Sequence, residues 1–187
     1  MPIVEGLLSE AKQSPTSHFN QRPSGMTINL LVIHNISLPA GYFSGTCVQE
    51  LFCGNLDTTY DPSFDELKNV RVSSHLFIRR NAQVIQFVNF NQRAWHAGES
   101  SYKGHCNCND FSIGIELEGS DFVPFTERQY KKLASVTSQI MASYPLITLD
   151  NICGHSDIAP DRKTDPGPLF NWNKYKNSLS RAEPNLK

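Results

Sequence analysis

The sequence predicts an α/β fold in which a central mixed β-sheet is flanked by α-helices. Residues 28–33 form an almost unbroken apolar run, which is typical of a central strand buried on both faces. Residues 111–119 alternate in polarity and predict a second strand, and residues 126–144 carry apolar side chains at helical spacing. With 187 residues, 39% of them hydrophobic, the chain is long enough for one domain with a substantial core.

The N-terminal residues are predicted to form an arm that leads into this domain. A short helix is expected over residues 5–12, and Pro and Gly residues interrupt regular structure before and after residue 20. We therefore divide a single domain, residues 1–187, into an arm over 1–26 and a core over 27–180. The apolar run of the core then ends in His34 and Asn35, where side chains leave the buried part of the sheet.

A long irregular connection follows this strand. Residues 36–69 contain several Gly and Pro residues, with helical turns expected around 47–53 and 64–68. Because so long a loop inside a compact domain is usually functional, we interpret residues 38–64 as a wall over a site. Residues 73–79 and 84–88 then predict a β-hairpin.

The second half of the chain supplies the other strand and the helices. In the strand over 111–119, alternation places Ile113, Ile115 and Leu117 on a core face and Glu116 on the opposite face, away from the core. Thr126 and Gln129 form a capping-box pattern that starts the long helix.

The last elements surround His155. A short strand over 151–153 leads to this histidine, and a final helix is expected after Pro168, followed by a polar tail. The inward side chains of the final helix are predicted to be Phe170 or Trp172, Tyr175 and Leu179.

Composition excludes several classes of partner. The formal net charge of −1 provides no field that would attract nucleic acid or an anionic membrane. No run of eighteen apolar residues and no signal-peptide pattern is present, so we expect a cytoplasmic protein. Five cysteines in such a chain favour free thiols, and the Cys106 and Cys108 pair is spaced too closely for the usual zinc motif. We expect a monomer.

One polar segment, residues 154–167, has the character of half a metal site. It contains His155, Lys163 and Asp165 among Pro and Gly residues, and it is too poor in apolar side chains to be core. Two imidazoles, from His34 and His155, and the carboxylate of Asp165 suit zinc. Three such ligands leave a fourth coordination position open, as catalytic sites require. Spacing alone does not select His34 from the six histidines of the chain.

Five separated motifs carry a resemblance to a known family. They are residues 31–39, 72–80, 93–98, 109–119 and 154–167. In this order they resemble the zinc-dependent N-acetylmuramoyl-L-alanine amidases related to phage T7 lysozyme and the peptidoglycan recognition proteins. The resemblance implies an amidase-like fold with one Zn²⁺ per chain. It makes His34, His155 and Asp165 the zinc ligands, Glu116 the catalytic carboxylate and Lys163 the cation at the developing oxyanion.

The resemblance also implies a substrate. The cytosolic branch of this family hydrolyses the amide between 1,6-anhydro-N-acetylmuramic acid and L-alanine in muropeptides, during cell-wall recycling. A small muropeptide is therefore the expected partner, with substrate contacts at Asn35, Arg71, Trp95 and His96. His96 could instead form a hydrogen bond to a residue of the site without touching the substrate. Glu118, on the same strand face, remains an alternative to Glu116 as the catalytic carboxylate.

Two other functions stay open at this stage. One is an endolysin-type amidase that acts on polymeric peptidoglycan, which the same residues permit. The other is a peptidoglycan-binding protein without catalysis, as in relatives that lose a metal ligand. Retention of both histidines and of Asp165, Glu116 and Lys163 argues against the second function.

Overall fold

A computed structural model describes residues 3–180 of the chain. A mixed six-stranded sheet organises this part of the molecule, in the spatial order β12, β5, β11, β6, β7, β3. Its strands are β3 (Lys12–Gln13), β5 (Leu30–Ile36), β6 (Leu76–Ile78), β7 (Val84–Gln86), β11 (Ser112–Glu118) and β12 (Ile152–Gly154). The four strands β12, β5, β11 and β6 run parallel, whereas β6 and β7 form an antiparallel hairpin.

Three small antiparallel ribbons decorate the main sheet. They are β1 (Ile3–Val4) with β2 (Leu7–Leu8), β4 (Phe19–Gln21) with β8 (Gln92–Ala94), and β9 (Ser101–Tyr102) with β10 (His105–Cys106). The helices are α1 (Cys47–Cys53), α2 (Glu127–Ser143), α3 (His155–Ile158) and α4 (Trp172–Ser180), with short 3₁₀ helices at Pro62–Leu67, Cys108–Asp110 and Leu149–Asn151. Within the described residues, no helix is long and apolar enough to cross a membrane.

The two faces of the sheet have different roles. On one face, Leu31 and Ile33 of β5 pack with Leu133 and Ile140 of α2 in the largest apolar cluster, to which Tyr175 of α4 also belongs. Because side chains alternate along a strand, Leu30 and Val32 point to the opposite face, where they belong to a separate cluster. This second face carries the polar residues described below.

Most of the predicted elements are confirmed. The hairpin of β6 and β7, helix α2 with its capping box at Thr126, the helix at residues 47–53 and the final helix all form. In α4, Tyr175 and Leu179 are buried as predicted, together with the preceding Phe170. The predicted polar tail lies largely outside the described residues.

The predicted N-terminal helix was wrong. Residues 5–8 belong to the β1–β2 ribbon, whose turn has positive φ values of 49° at Glu5 and 80° at Gly6, and Lys12 begins β3. Backbone groups of this ribbon form hydrogen bonds with residues that are distant in sequence. Leu8 N donates to Gln86 Oε1 at 2.8 Å, and Gly6 O accepts from Phe90 N at 3.0 Å. Farther along, β3 pairs with β7 and so joins the main sheet.

The outer face of β11 is covered as well. Alternation correctly separated the two faces of the strand, and every residue of β11 on both faces is buried. Both faces of a parallel strand are normally covered, and here the second cover is built from loops together with the short helices α1 and α3. The carboxylates of Glu116 and Glu118 are therefore internal groups.

Replacement of Leu133 tests the packing of α2 on the sheet. Leu133 is fully buried, so Leu133→Ala should leave a cavity and lower the free energy of unfolding by about 2–5 kcal/mol. The matched control is Lys131→Ala on the exposed side of the same helix, which should change it by less than about 0.5 kcal/mol. Urea unfolding of the two variants measures both values, and equal losses would contradict this packing arrangement.

Candidate active site

The pairing of β5 with β11 brings a histidine beside a carboxylate. In the parallel register of the two strands, His34 lies opposite Glu116. Both residues point to the face of the sheet that α2 does not cover, since they alternate with Ile33 and Ile115 of the main cluster. The site is thus anchored on the two central strands of the sheet.

His155 reaches the same place through the next strand. β12 pairs with β5 so that Gly154 lies opposite Ile33, and His155 follows immediately as the first residue of α3. The segment then folds back, because Ser156 N donates to Asp165 O at 2.9 Å. The loop therefore holds His155 and Asp165 together, although nine residues separate them in the sequence.

Three potential ligand atoms converge at this point. His34 Nδ1 lies 3.1 Å from His155 Nδ1 and 2.9 Å from Asp165 Oδ2, and the distance from His155 Nδ1 to Asp165 Oδ2 is 3.2 Å. Among residues 3–180, this is the only group of three or more His, Cys, Asp or Glu side chains close enough to share a metal ion. Both histidines are buried, and the side chain of Asp165 is 15% exposed.

The donor set fits zinc. A tetrahedral zinc with ligands at about 2.0–2.2 Å needs donor atoms roughly 3.3–3.6 Å apart, only slightly more than the spacing of this cluster. Burial lowers the pKa of His34 to about 4, so its imidazole is neutral at physiological pH, as ligation requires. Burial alone would raise the pKa of Asp165, but hydrogen bonds from His155 and His34 outweigh it and hold this pKa below its usual range.

The far nitrogens of both histidines have partners. His34 Nε2 lies 2.9 Å from His96 Nδ1, and His155 Nε2 lies 3.0 Å from the carbonyl oxygen of Ala97. These contacts leave both Nδ1 atoms facing the cluster. Three protein ligands on one side leave room for a fourth, which is the arrangement of catalytic zinc sites.

Glu116 is a buried carboxyl group beside this cluster. It is 8% exposed, and its Oε2 has no hydrogen-bond partner. Burial and the nearby Asp165 raise the pKa of Glu116 well above 4.5, and the Lys163 ammonium only partly opposes them. A raised pKa favours the proton-holding form of the carboxyl group, and a free oxygen leaves room for a reacting group, as general acid/base catalysis requires.

A cavity of about 260 Å³ connects these groups. Glu116, His155, Lys163 and Asp165 line its polar side. Its apolar wall comes from side chains in and after the predicted wall segment, Leu51, Phe52, Leu67 and Val70. The cavity therefore combines a reactive end with an apolar surface for a ligand.

The four expected substrate contacts have different surroundings. Asn35 and Trp95 line the cavity, although Asn35 Nδ2 also donates to Asp121 Oδ1 at 2.9 Å. Arg71 is exposed, and its guanidinium stands 5.4 Å from the centre of the Trp95 ring. His96 also lines the cavity, but it is only 9% exposed and both of its ring nitrogens have protein partners, so it offers little surface to a ligand.

Glu118 has a different role from Glu116. Its Oε1 accepts from Ser44 N at 2.8 Å, and its Oε2 accepts from Arg80 N at 2.9 Å. Arg79 completes the arrangement with an ion pair at 3.7 Å. The carboxylate thus ties two loops to the end of β11, and it is not among the residues that line the cavity.

Sequence reasoning missed the residues behind the cluster. Ser112, Asn109 and the Ala97 carbonyl contact His96 or His155 directly. The motifs over 93–98 and 109–119 contain all three, but a pattern of residue types gives no sign of a backbone carbonyl that accepts from an imidazole. Ser112 lies on the same face of β11 as Glu116, because side chains alternate along the strand.

Comparisons with known proteins agree with this geometry. Residues 24–168 match the N-acetylmuramoyl-L-alanine amidase family. The chain is 51% identical over 172 residues to the 1,6-anhydro-N-acetylmuramyl-L-alanine amidase AmpD of Salmonella typhimurium strain SL1344, covering 92% of this chain and 91% of that protein. A crystal structure of a selenomethionine AmpD derivative is similar with a TM-score of 0.93 and 48% identity, covering 96% of this chain and 99% of that one.

A more distant relative was solved with a ligand. It is the Escherichia coli amidase AmiD in complex with anhydro-N-acetylmuramic acid-L-Ala-D-gamma-Glu-L-Lys, described as its substrate. The similarity has a TM-score of 0.61 and 31% identity, and it covers 84% of this chain and 60% of AmiD.

The raised pKa of Glu116 predicts a pH-dependent gain in stability for Glu116→Gln. Above pH 4.5 the unfolded chain releases the proton of Glu116 while the folded protein retains it, so wild-type stability falls as pH rises towards the folded pKa. Gln does not ionise and avoids this loss. In metal-free protein, the advantage of the variant over wild type should therefore grow as the pH rises from 5 to 8.

Urea unfolding of both proteins in the presence of a chelator measures this difference. Comparison with wild type at each pH cancels the titration of the remaining groups. An advantage that is the same at pH 5 and pH 8 would show that the folded state does not raise the pKa of Glu116.

Proposed function

The chain belongs to the N-acetylmuramoyl-L-alanine amidase family, and we propose that it is a zinc-dependent hydrolase of 1,6-anhydro-muropeptides. It cleaves the amide bond between the lactyl group of 1,6-anhydro-N-acetylmuramic acid and L-alanine, as a step of cell-wall recycling. The observation that carries this proposal is the convergence of His34, His155 and Asp165 at the edge of the cavity that Glu116, His155 and Asp165 line.

The proposed metal ligands are the two Nδ1 atoms and Asp165 Oδ2, with one Zn²⁺ per chain. When bound there, zinc supplies Lewis acidity that polarises a carbonyl group and makes water more acidic. The short distances between the donor atoms, the neutral state of His34 and the ionised state of Asp165 support this assignment.

Glu116 is proposed as the general acid/base. Its carboxylate takes a proton from the attacking water as the new carbon–oxygen bond forms, and its carboxyl form returns that proton to the nitrogen of L-alanine as the amide bond breaks. The unpartnered Oε2 and the raised pKa of Glu116 support both halves of this cycle. One buried group thus transfers a single proton between the nucleophile and the leaving amine.

Lys163 is proposed to stabilise the developing oxyanion. Its ammonium lines the same cavity and lowers the pKa of Glu116 by its charge, so it acts electrostatically at the reacting centre. A fixed cation placed where negative charge develops can contribute several kcal/mol to transition-state stabilisation. Asn35, Arg71 and Trp95 remain our proposed substrate contacts.

A soluble anhydro-muropeptide suits the site better than polymeric wall. The curated relative with 51% identity is named for the 1,6-anhydro form, and the AmiD complex contains an anhydro-muropeptide. An endolysin-type activity on intact peptidoglycan is the second candidate, since the same catalytic groups would serve it. Comparison of the hydrolysis rate on sacculi with the rate on soluble muropeptides distinguishes these two functions.

We further propose that the enzyme acts in the cytoplasm as a monomer. All five cysteines are free thiols, which is the usual state in a reducing compartment. The complete donor set and both proposed catalytic side chains come from a single chain, so the reaction needs no second subunit.

Mass spectrometry of reaction products tests this function. Incubation of anhydro-N-acetylmuramyl-peptide with the protein should yield free peptide beginning with L-alanine and anhydro-N-acetylmuramic acid. A strong chelator should stop the reaction, and added zinc should restore it. Full activity in metal-stripped protein would contradict the mechanism.

His155→Ala provides the matched genetic control for that experiment. Loss of one of three ligands should remove both bound zinc, measured by elemental analysis, and turnover. A variant that keeps one zinc per chain and full turnover would place the metal elsewhere.

Replacement of the two carboxylates of β11 distinguishes their roles. Glu116→Gln should retain zinc but lower kcat by about 100- to 10,000-fold, the usual contribution of a general acid/base. Glu118→Gln, which weakens a loop tie outside the cavity, should keep most of the turnover. The reverse pattern in a single-turnover assay would transfer the catalytic role to Glu118.

A further inference from the structure

Both histidines of the proposed zinc site are held by one short segment. His96 contacts His34 through its side chain, and the neighbouring Ala97 contacts His155 through its carbonyl oxygen. We propose that the His96–Ala97 segment orients the two zinc histidines, and that His96 is a positioning residue for His34 rather than a substrate contact. This inference rests on the zinc site of the proposed function.

Hydrogen-bond chemistry determines where the ring protons lie in the zinc-bound protein. If His34 binds the metal through Nδ1, its proton is on Nε2 and is donated to His96 Nδ1 at 2.9 Å. His96 Nδ1 is then an acceptor, so the proton of His96 is on Nε2 and is donated to Ser112 Oγ at 3.0 Å. The two hydrogen bonds from His34 through His96 to Ser112 can therefore form together in one direction only, with each donor on the side nearer the metal.

The backbone around His96 is itself firmly held. The side-chain oxygen of Asn109 accepts from His96 N at 3.0 Å and from Ala97 N at 2.8 Å. Asn109 is only 5% exposed, so water does not compete for these bonds. The segment is thus rigid where it contacts the two ligands.

Space for the His96 ring is provided by Gly114 of β11. A Cβ atom at position 114 would overlap the His96 ring. Glycine at this strand position therefore lets the imidazole lie against the sheet, between Ser112 and His34. The His96 ring therefore occupies the space that a side chain at position 114 would need in the central strand pair.

The second contact of the segment follows the same logic. With His155 bound through Nδ1, its Nε2 carries the proton and donates to Ala97 O at 3.0 Å. The same carbonyl oxygen accepts from Arg162 Nη2 at 2.8 Å. Each histidine thus has a fixed acceptor behind it, which sets the ring orientation and leaves Nδ1 for the metal.

Two variants of His96 separate orientation from packing. An Asn side chain places its oxygen near the position of the His96 Nδ1 atom, whereas a Gln side chain extends to the Nε2 position beside Ser112. His96→Asn therefore retains an acceptor for His34, and His96→Gln loses it while preserving a buried amide. Thermal unfolding of the metal-free variants verifies that both are folded.

Zinc affinity, measured by competition with a chromophoric chelator, is the main readout. His96→Gln should bind zinc about 10- to 100-fold more weakly than wild type, and His96→Asn should stay within tenfold of wild type. Equal losses in both variants, or no loss in either, would overturn the positioning role. If wild-type protein binds no zinc, the proposed function itself fails.

A measurement on the wild type keeps the test independent of variant folding. Long-range ¹H–¹⁵N correlation spectra of the zinc-loaded protein report which imidazole nitrogens carry protons. The expected pattern has protons on Nε2 of both His34 and His96 and none on His96 Nδ1. A proton on His96 Nδ1 would overturn the inference.

Discussion

The parallel pairing of β5 with β11 is the constraint on which the rest of the molecule depends. It sets His34 opposite Glu116 at the centre of the sheet, and the addition of β12 beside β5 brings His155 to the same edge. A one-residue slip of either strand would turn its own polar side chain, His34 or Glu116, into the apolar cluster under α2. The apolar face of the sheet therefore enforces the geometry of the polar face.

This arrangement places ionisable groups where water is scarce. Burial suppresses protonation of His34 and ionisation of Glu116, so a neutral imidazole and a proton-binding carboxyl group lie on neighbouring strands. Asp165 stays ionised because two histidines hydrogen-bond to it. Buried groups of this kind reduce stability unless partners compensate them, and here the compensating contacts are those that prepare the site.

Sequence patterns predicted the fold class, the hairpin and the capped helix because each has a local signal. Helix α2 illustrates this, since Thr126, Gln129 and the apolar spacing all lie within one segment. The N-terminal ribbon was missed because its stability comes from Gln86 and Phe90, which are remote in sequence. Burial of Glu116 could not be predicted from its strand alone, because segments distant from β11 in sequence cover that face.

The site was predictable only in part. The segment holding His155 and Asp165 has a composition that indicates ligands, but its partner His34 was selected by family resemblance, not by spacing. The contacts behind the ligands depend on a carbonyl group and on the absence of a side chain at Gly114. No pattern of residue types in the sequence predicts such contacts, because they depend on how the strands pack together.

Zinc-edge X-ray absorption spectroscopy of the zinc-loaded protein tests the central claim most directly, because it identifies the atoms bound to the metal. The account predicts a first shell of nitrogen and oxygen at about 2.0–2.2 Å, with the outer scattering of two imidazole rings and no sulfur at about 2.3 Å. A sulfur shell, or a shell without imidazole scattering, would contradict the assignment of His34, His155 and Asp165 as the metal site.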